Sequence, residues 1–243
     1  MHMTTRRLRD DESGFSLVEL LMAMALGSIV LAALMIVFLN GVTGVVRVND
    51  RVDALQRGRI TMDRVVTLLN SQTCVTGTDG IGLPPIRDGQ VNQVAFTASL
   101  GVVDSDPVIY RLRYDPSTKR LWEDRYAGTR PGGTLTYAGY PGSPTSTTLI
   151  GTNILPTTAG APIFQYFQFV TSEGPTLGMV DTAPLATPLS AASQLAAVRM
   201  TISFVTQPEH TTGSATDLRA TSLDGVATVG SANAGEPVKG VNC

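Results

Sequence analysis

From Leu20 to Leu39 the chain reads LLMAMALGSIVLAALMIVFL, with no ionisable side chain. At about 1.5 Å of rise per residue, a helix of that length crosses a hydrocarbon layer about 30 Å thick, so the pattern predicts a membrane span. A secretory signal peptide has a shorter apolar core, about 7–15 residues, followed by a small-x-small cleavage site. The stretch from Val37 to Gly44 offers no good site of that kind, and retention is expected over removal. Glu19 is the single acid at the mouth of this apolar segment.

Helical patterning continues past the span. No proline occurs from Phe15 to Leu83, and Val48, Val52, Leu55, Arg59, Met62, Val66 and Leu69 recur at alternating spacings of four and three. Those spacings place them on one helical face, with Arg59 the only interruption. The pattern therefore predicts a helix over about 15–71, roughly 85 Å long, of which only the first third can sit in lipid. Its outer half, about 45–71, needs something to cover the apolar stripe.

Beyond the helix, residues 72–243 are rich in Gly, Pro, Ser and Thr and read as strands joined by loops. A short strand is predicted from Val94 to Ser99. Val108, Tyr110, Leu112 and Tyr114 alternate with Ile109, Arg111 and Arg113. Asp115, Pro116, Ser117 and Thr118 then supply turn chemistry before Arg120, Leu121 and Trp122, making this the clearest hairpin in the chain. Loop composition dominates from Gly128 to Pro162, a stretch long for an unstructured connection, which either wraps the surface or holds short elements that the pattern does not place. Phe164 to Thr171 and Val198 to Thr206 return to strand patterning, with a short helical approach over 190–197. The predicted fold class is α+β: a long N-terminal helix whose outer half is covered by a C-terminal antiparallel β-sheet head.

Charge sets the orientation. Arg6, Arg7 and Arg9 precede the apolar run, diluted by Asp10, Asp11 and Glu12, whereas only Arg47 lies close beyond its far end. The positive-inside rule counts chiefly Lys and Arg, so the N-terminus is expected in the cytoplasm and the head outside it. The whole chain has 18 basic and 20 acidic residues, a formal net charge of -2, and no basic excess of the kind nucleic-acid binding requires. Arg47, Arg51, Arg57, Arg59 and Arg64, interspersed with Asp50, Asp53 and Asp63, read as a solvated helix face. Cys74 and Cys243 both fall outside the cytoplasm on this topology, where a disulfide persists. Pairing would close a loop of about 170 residues and contribute about 2–4 kcal/mol. The alternatives are two free thiols, or a pair left unmade by a tail without structure after Gly225.

Catalytic chemistry is sparse. His210, beside Glu209, is the only histidine after His2, and its surroundings suit a surface residue. Neither HExxH, G-x-S-x-G nor a spaced His/Cys set occurs, and GTDGIG at 77–82 has neither dinucleotide nor P-loop spacing. Asp79, Asp104 and Asp106 could reach a calcium ion only if folding gathered further oxygen ligands. No cofactor and no metal is implied. Tyr126, Tyr137 and Tyr140, set among Gly and Pro, could either form an exposed adhesive surface or pin the long loop to the sheet.

The N-terminal residues resemble the class III signal peptides of type IV prepilins and type II secretion pseudopilins: a short polar leader, Gly14, Phe15, then SLVELLMAMALGSIVLAALMIVFL. The resemblance is specific over residues 1–71. It implies that residues 1–14 are a leader cut between Gly14 and Phe15 by a membrane-embedded prepilin peptidase, which methylates the new amine of Phe15. It also implies that Glu19 is the assembly glutamate. A lone carboxylate near lipid is costly, and a neighbouring subunit's terminal amine is a suitable counter-charge in a low-dielectric bundle. More loosely, DALQRGRITMDRVVTLL, YRLRYDPSTKRLWED and LSAASQLAAVRMTISFVT are similar to segments of the larger minor subunits of the J or W type. The early helix lacks the Pro common in pilins, so no Pro kink is expected, and Gly27, Gly41 and Gly44 are the sites of any loosening.

What the resemblance implies is a minor pilin or pseudopilin, a structural subunit that primes or caps a filament. Before assembly it would sit in the bacterial cytoplasmic membrane. Its partners would be other pilin or pseudopilin subunits through the N-terminal helix, the prepilin peptidase, and a separate assembly platform and ATPase. Two other readings remain open: a bitopic anchored binding protein that never enters a filament, and an anchored enzyme, which the missing catalytic constellations disfavour.

Overall fold

The structure, a computed structural model, describes residues 16–73, 75–76, 82–99, 106–131, 135–170, 179–208 and 222–229. The proline-free run folds as α1, Leu17–Asn70, 54 residues long. Ser16 starts it: its hydroxyl oxygen accepts the Glu19 N–H at 3.2 Å, and its carbonyl accepts the Leu20 N–H at 3.1 Å, satisfying two donors that a helix start leaves open. Gly27, Gly41 and Gly44 all remain helical. The chain divides into two compact units, Met1–Asn49 and Asp50–Cys243. Among its described residues the first is helix preceded by Ser16, and every side chain in it is exposed.

The second unit carries the last turns of α1 and thirteen described strands. These are β1 (Val75–Thr76), β2 (Gly82–Leu83), β3 (Ile86–Gly89), β4 (Gln93–Ala98), β5 (Val108–Asp115), β6 (Arg120–Tyr126), β7 (Gly128–Thr129), β8 (Thr136–Tyr137), β9 (Ser146–Gly151), β10 (Ile154–Leu155), β11 (Phe164–Gln168), β12 (Ala197–Thr206) and β13 (Ser222–Thr228). The short helix α2, Ala191–Ala196, precedes β12, and Ser190 caps it by accepting the Ser193 N–H. An antiparallel five-stranded sheet runs β3-β4-β5-β6-β9. A four-stranded sheet is built on β12, with β13 along one edge and β11 and β10 along the other. The expected single sheet is thus two, and β13 continues as regular strand through Gly225 to Thr228.

The hairpin forms where alternation predicts it. Tyr110, Leu112 and Tyr114 of β5 are buried on one face, and β6 pairs along the whole of β5 from Ile109 onward. Asp115 organises the turn: one carboxylate oxygen accepts the N–H and hydroxyl of Ser117, at 2.9 and 2.6 Å, and the other accepts the Thr118 hydroxyl at 2.8 Å. These bonds favour the charged form and hold its carboxyl down to about 2.

Of the two readings of the loop-like stretch from Gly128 to Pro162, short elements are what it holds, chief among them β9, an edge strand of mostly exposed Ser and Thr paired to β6. With little apolar face to bury, it carries no alternation to read. The buried face of the outer helix is shifted from the predicted one. Ala54, Gly58, Thr61, Val65 and Leu68 line it, joined by Met62 and Leu69, while Val48, Val52 and Arg59 are exposed. The centre of the stripe lies about one residue earlier, a rotation of about 100°. Small residues decide this, because they let the sheet approach. A methyl on Gly58 would collide with Leu223 Cδ1 and meet Thr206 Cγ2 at 2.9 Å. Thr61 Oγ1 donates to the Ile150 carbonyl at 2.9 Å, and Thr206 Oγ1 donates to the Ala54 carbonyl at 2.8 Å.

Both sheets contribute to one core around this helix face. Val65, Leu68 and Leu69 meet Phe96, Leu112 and Leu121 of one sheet and Phe164, Met200, Ile202 and Phe204 of the other. Each fully buried side chain of this size contributes about 1.5–3 kcal/mol. Tyr166 ties the sheets further, its hydroxyl 3.2 Å from the carbonyl oxygens of both Gln90 and Gln93, and burial raises its phenol well above the ordinary value.

Candidate functional site

Of the sequence-predicted site residues, Glu19 lies within the described part of the chain. Gly14, Phe15, Cys74 and Cys243 lie outside it, as do Asp79, Asp104, Glu209 and His210. Glu19 occupies the first turn of α1. Its backbone N–H is held by Ser16, while its side chain is exposed and meets no hydrogen bond or ion pair among the described residues. The S-x-x-E spacing is that of a capping box, and a carboxylate in the first turn is favoured by the helix dipole. The backbone therefore fixes the acid's position and leaves its carboxylate open to an external partner.

The apolar helix above Glu19 is equally open. Leu20, Ile29, Leu34 and Phe38 are each more than half exposed, and so is every large apolar residue from Leu17 to Phe38. Among the described residues α1 is one helix long and apolar enough to cross a membrane. None of the described residues covers this surface, which water hydrates unfavourably and which suits lipid or other helices.

In the head, Arg64 corrects the solvated-face reading. Its guanidinium donates two bonds to Glu123 on β6, at 3.0 and 2.9 Å, and that carboxylate is almost wholly buried. The hydrogen bond to Glu123 raises the Arg64 pKa. Arg57 does follow the expected pattern, pairing with Asp53 one turn back at 2.9 Å. No sequence signal singled out Arg64 from its neighbours, since the partner lies in a distant strand.

Of the two readings of the tyrosines, the structure supports pinning. Tyr126 is fully buried, stands edge-on to Tyr140 with ring centroids 5.2 Å apart, and clusters with Ala95, Ile109, Tyr137 and Tyr140. Burial raises all three phenols above their ordinary value. Arg111 completes the attachment: it donates twice to Asp124, at 2.9 and 2.7 Å, and once to the Pro141 carbonyl at 2.8 Å, and it lies over the Tyr126 ring. Asp106 is engaged by Arg130. Among the described residues no group of three or more His, Cys, Asp or Glu could hold a metal ion.

No curated protein matches the chain. Residues 9–35 match the family model described as the prokaryotic N-terminal methylation motif, so the chain carries a prepilin-like N-terminal segment with a single apolar helix suited to membrane anchoring and a separately folded β-rich head.

Proposed function

We propose that the chain is a minor pilin or pseudopilin of the larger J or W type, a structural subunit that primes or caps a type IV pilus-like or type II secretion filament. The observation that carries this reading is the methylation-motif match over residues 9–35 immediately before and within an apolar helix that is exposed among the described residues. Prepilin peptidase cuts after Gly14 and methylates Phe15. The mature subunit waits in the cytoplasmic membrane with its head outside, and an assembly platform and ATPase drive it into the filament. Glu19, fixed by Ser16 and open at its carboxylate, then meets the methylated amine of a neighbouring subunit, which sets axial height. Cys74 and Cys243 pair and hold the C-terminal tail against the head.

The test is made in a peptidase-competent host. Mass spectrometry is expected to find methylated Phe15 as the mature N-terminus, and replacing Gly14 to abolish processing. An N-terminus at Met1 refutes the proposal. Glu19→Leu is expected to leave processing intact and to remove the subunit from sheared filaments. Unchanged incorporation favours the bitopic anchored protein instead.

A further inference from the structure

Among the described residues, the outer face of the five-stranded sheet, away from α1, is covered at one end only. There the Tyr126, Tyr137 and Tyr140 cluster and the Arg111 bond to Pro141 hold the loop down. Toward the other end, Gln93, Arg113, Trp122 and Leu149 lie in directly paired positions on four adjacent strands, forming one row across the sheet. None of these four is buried. Leu149 is 39% exposed and the Arg113 side chain is 39% exposed. Arg120 stands two residues before Trp122 on β6, and so on the same face, and it is exposed.

Charge on this face is unbalanced by geometry rather than by count. Asp124 is buried, and its two oxygens are taken by Arg111 and by Thr147, leaving Arg113 only a 3.7 Å contact with it. Asp115 pairs in register with Arg120, but its carboxylate is turned into its own turn by Ser117 and Thr118. Among the described residues the guanidinium of Arg120 has no partner, and that of Arg113 is largely unspent. Trp122, paired with Arg113 on one side and Leu149 on the other and two residues from Arg120 on its own strand, joins apolar area on a sheet to two donors for carboxylates.

We propose that this row is a docking surface for an acidic, extended polypeptide segment. Its carboxylates bond Arg113 and Arg120, and an intervening apolar side chain lies on Trp122 and Leu149. The period of two in an extended chain places alternate side chains on one face, so acidic and apolar positions two apart reach the sheet together. The surface is independent of Glu19 and of whether the helix enters a filament.

Trp122 is the only tryptophan in the chain, which makes its emission a local reporter. The full chain in detergent micelles is titrated with a synthetic peptide of repeating Glu-Ser-Val-Ser, which places Glu and Val two apart on one face, and binding is followed by Trp122 emission and by anisotropy of the fluorescein-labelled peptide. Expected is saturable binding that weakens with salt, is absent with repeating Lys-Ser-Val-Ser, and is absent with empty micelles. Arg113→Gln with Arg120→Gln is expected to weaken it roughly 10-fold or more, and Trp122→Ala to do likewise by anisotropy, while Arg59→Gln on the helix changes nothing. Far-UV circular dichroism identifies any variant that has lost its fold, and the single Arg120→Gln, exposed and unpartnered, serves in its place. Equal binding of the Lys peptide, undiminished binding by the folded arginine variants, or displacement by inorganic polyphosphate as readily as by the Glu peptide overturns the proposal.

Discussion

Removing the guanidinium from Arg64 tests the helix-to-sheet register most directly. The two partners are unequally placed, since the Arg64 side chain is 46% exposed and that of Glu123 only 7%. In Arg64→Met the buried carboxylate loses both of its donors, at 3.0 and 2.9 Å. Breaking a fully buried pair costs about 3–5 kcal/mol, and the exposure of Arg64 discounts this to about 2–3 kcal/mol. Glu123→Leu leaves the arginine free to turn into water and costs about 1 kcal/mol or less, because apolar atoms replace the carboxylate in the core. The double variant is then expected near the Glu123→Leu value, a coupling of about 2–3 kcal/mol. Trp122 adjoins Glu123 on β6, so urea unfolding of the full chain in detergent, read by tryptophan emission, reports the head. A cost below about 0.5 kcal/mol for Arg64→Met, or a double variant equal to the sum of the singles, refutes the reasoning.

Gly58→Val places side-chain atoms where a Cβ alone collides with Leu223 and meets Thr206 at 2.9 Å, so a loss of about 2–4 kcal/mol in the same unfolding assay is expected; a stable variant shows that helix and sheet are less closely packed. The Asp115 carboxyl is held at about 2 against an ordinary 3.8, so its stabilisation of the turn is full above pH 3.8 and is lost as pH falls through 2. A carbon-detected NMR titration with a midpoint near 4 contradicts this. Protein purified without reductant is expected to resist iodoacetamide at Cys74 and Cys243 until reduced, and labelling of both native thiols removes the proposed bridge.

Local periodicity determined a good deal of this protein. The apolar run from Leu20 to Leu39 and the absence of proline before Pro84 sufficed for the long helix, because helix geometry and lipid thickness depend only on consecutive residues. The 108–122 hairpin, the β4 and β12 strands and the Ser190-capped helix were equally legible, since alternation and capping are local signals. Ser16 and Glu19 could be paired from spacing alone.

Tertiary structure decided the rest. The buried helix face was set by Ala54, Gly58 and Thr61, whose small size matters only once β9, β12 and β13 lie against them, and so the more apolar neighbouring stripe misled. The edge strand β9 was hidden because it borrows its order from β6. Arg64 found Glu123, and Trp122 came to lie between Arg113 and Leu149, through pairings between residues far apart in the chain. A sequence states which side chains can bury or carry charge; which of them meet is fixed by sheet order and register, where energies of a few kcal/mol depend on contacts that no local pattern contains.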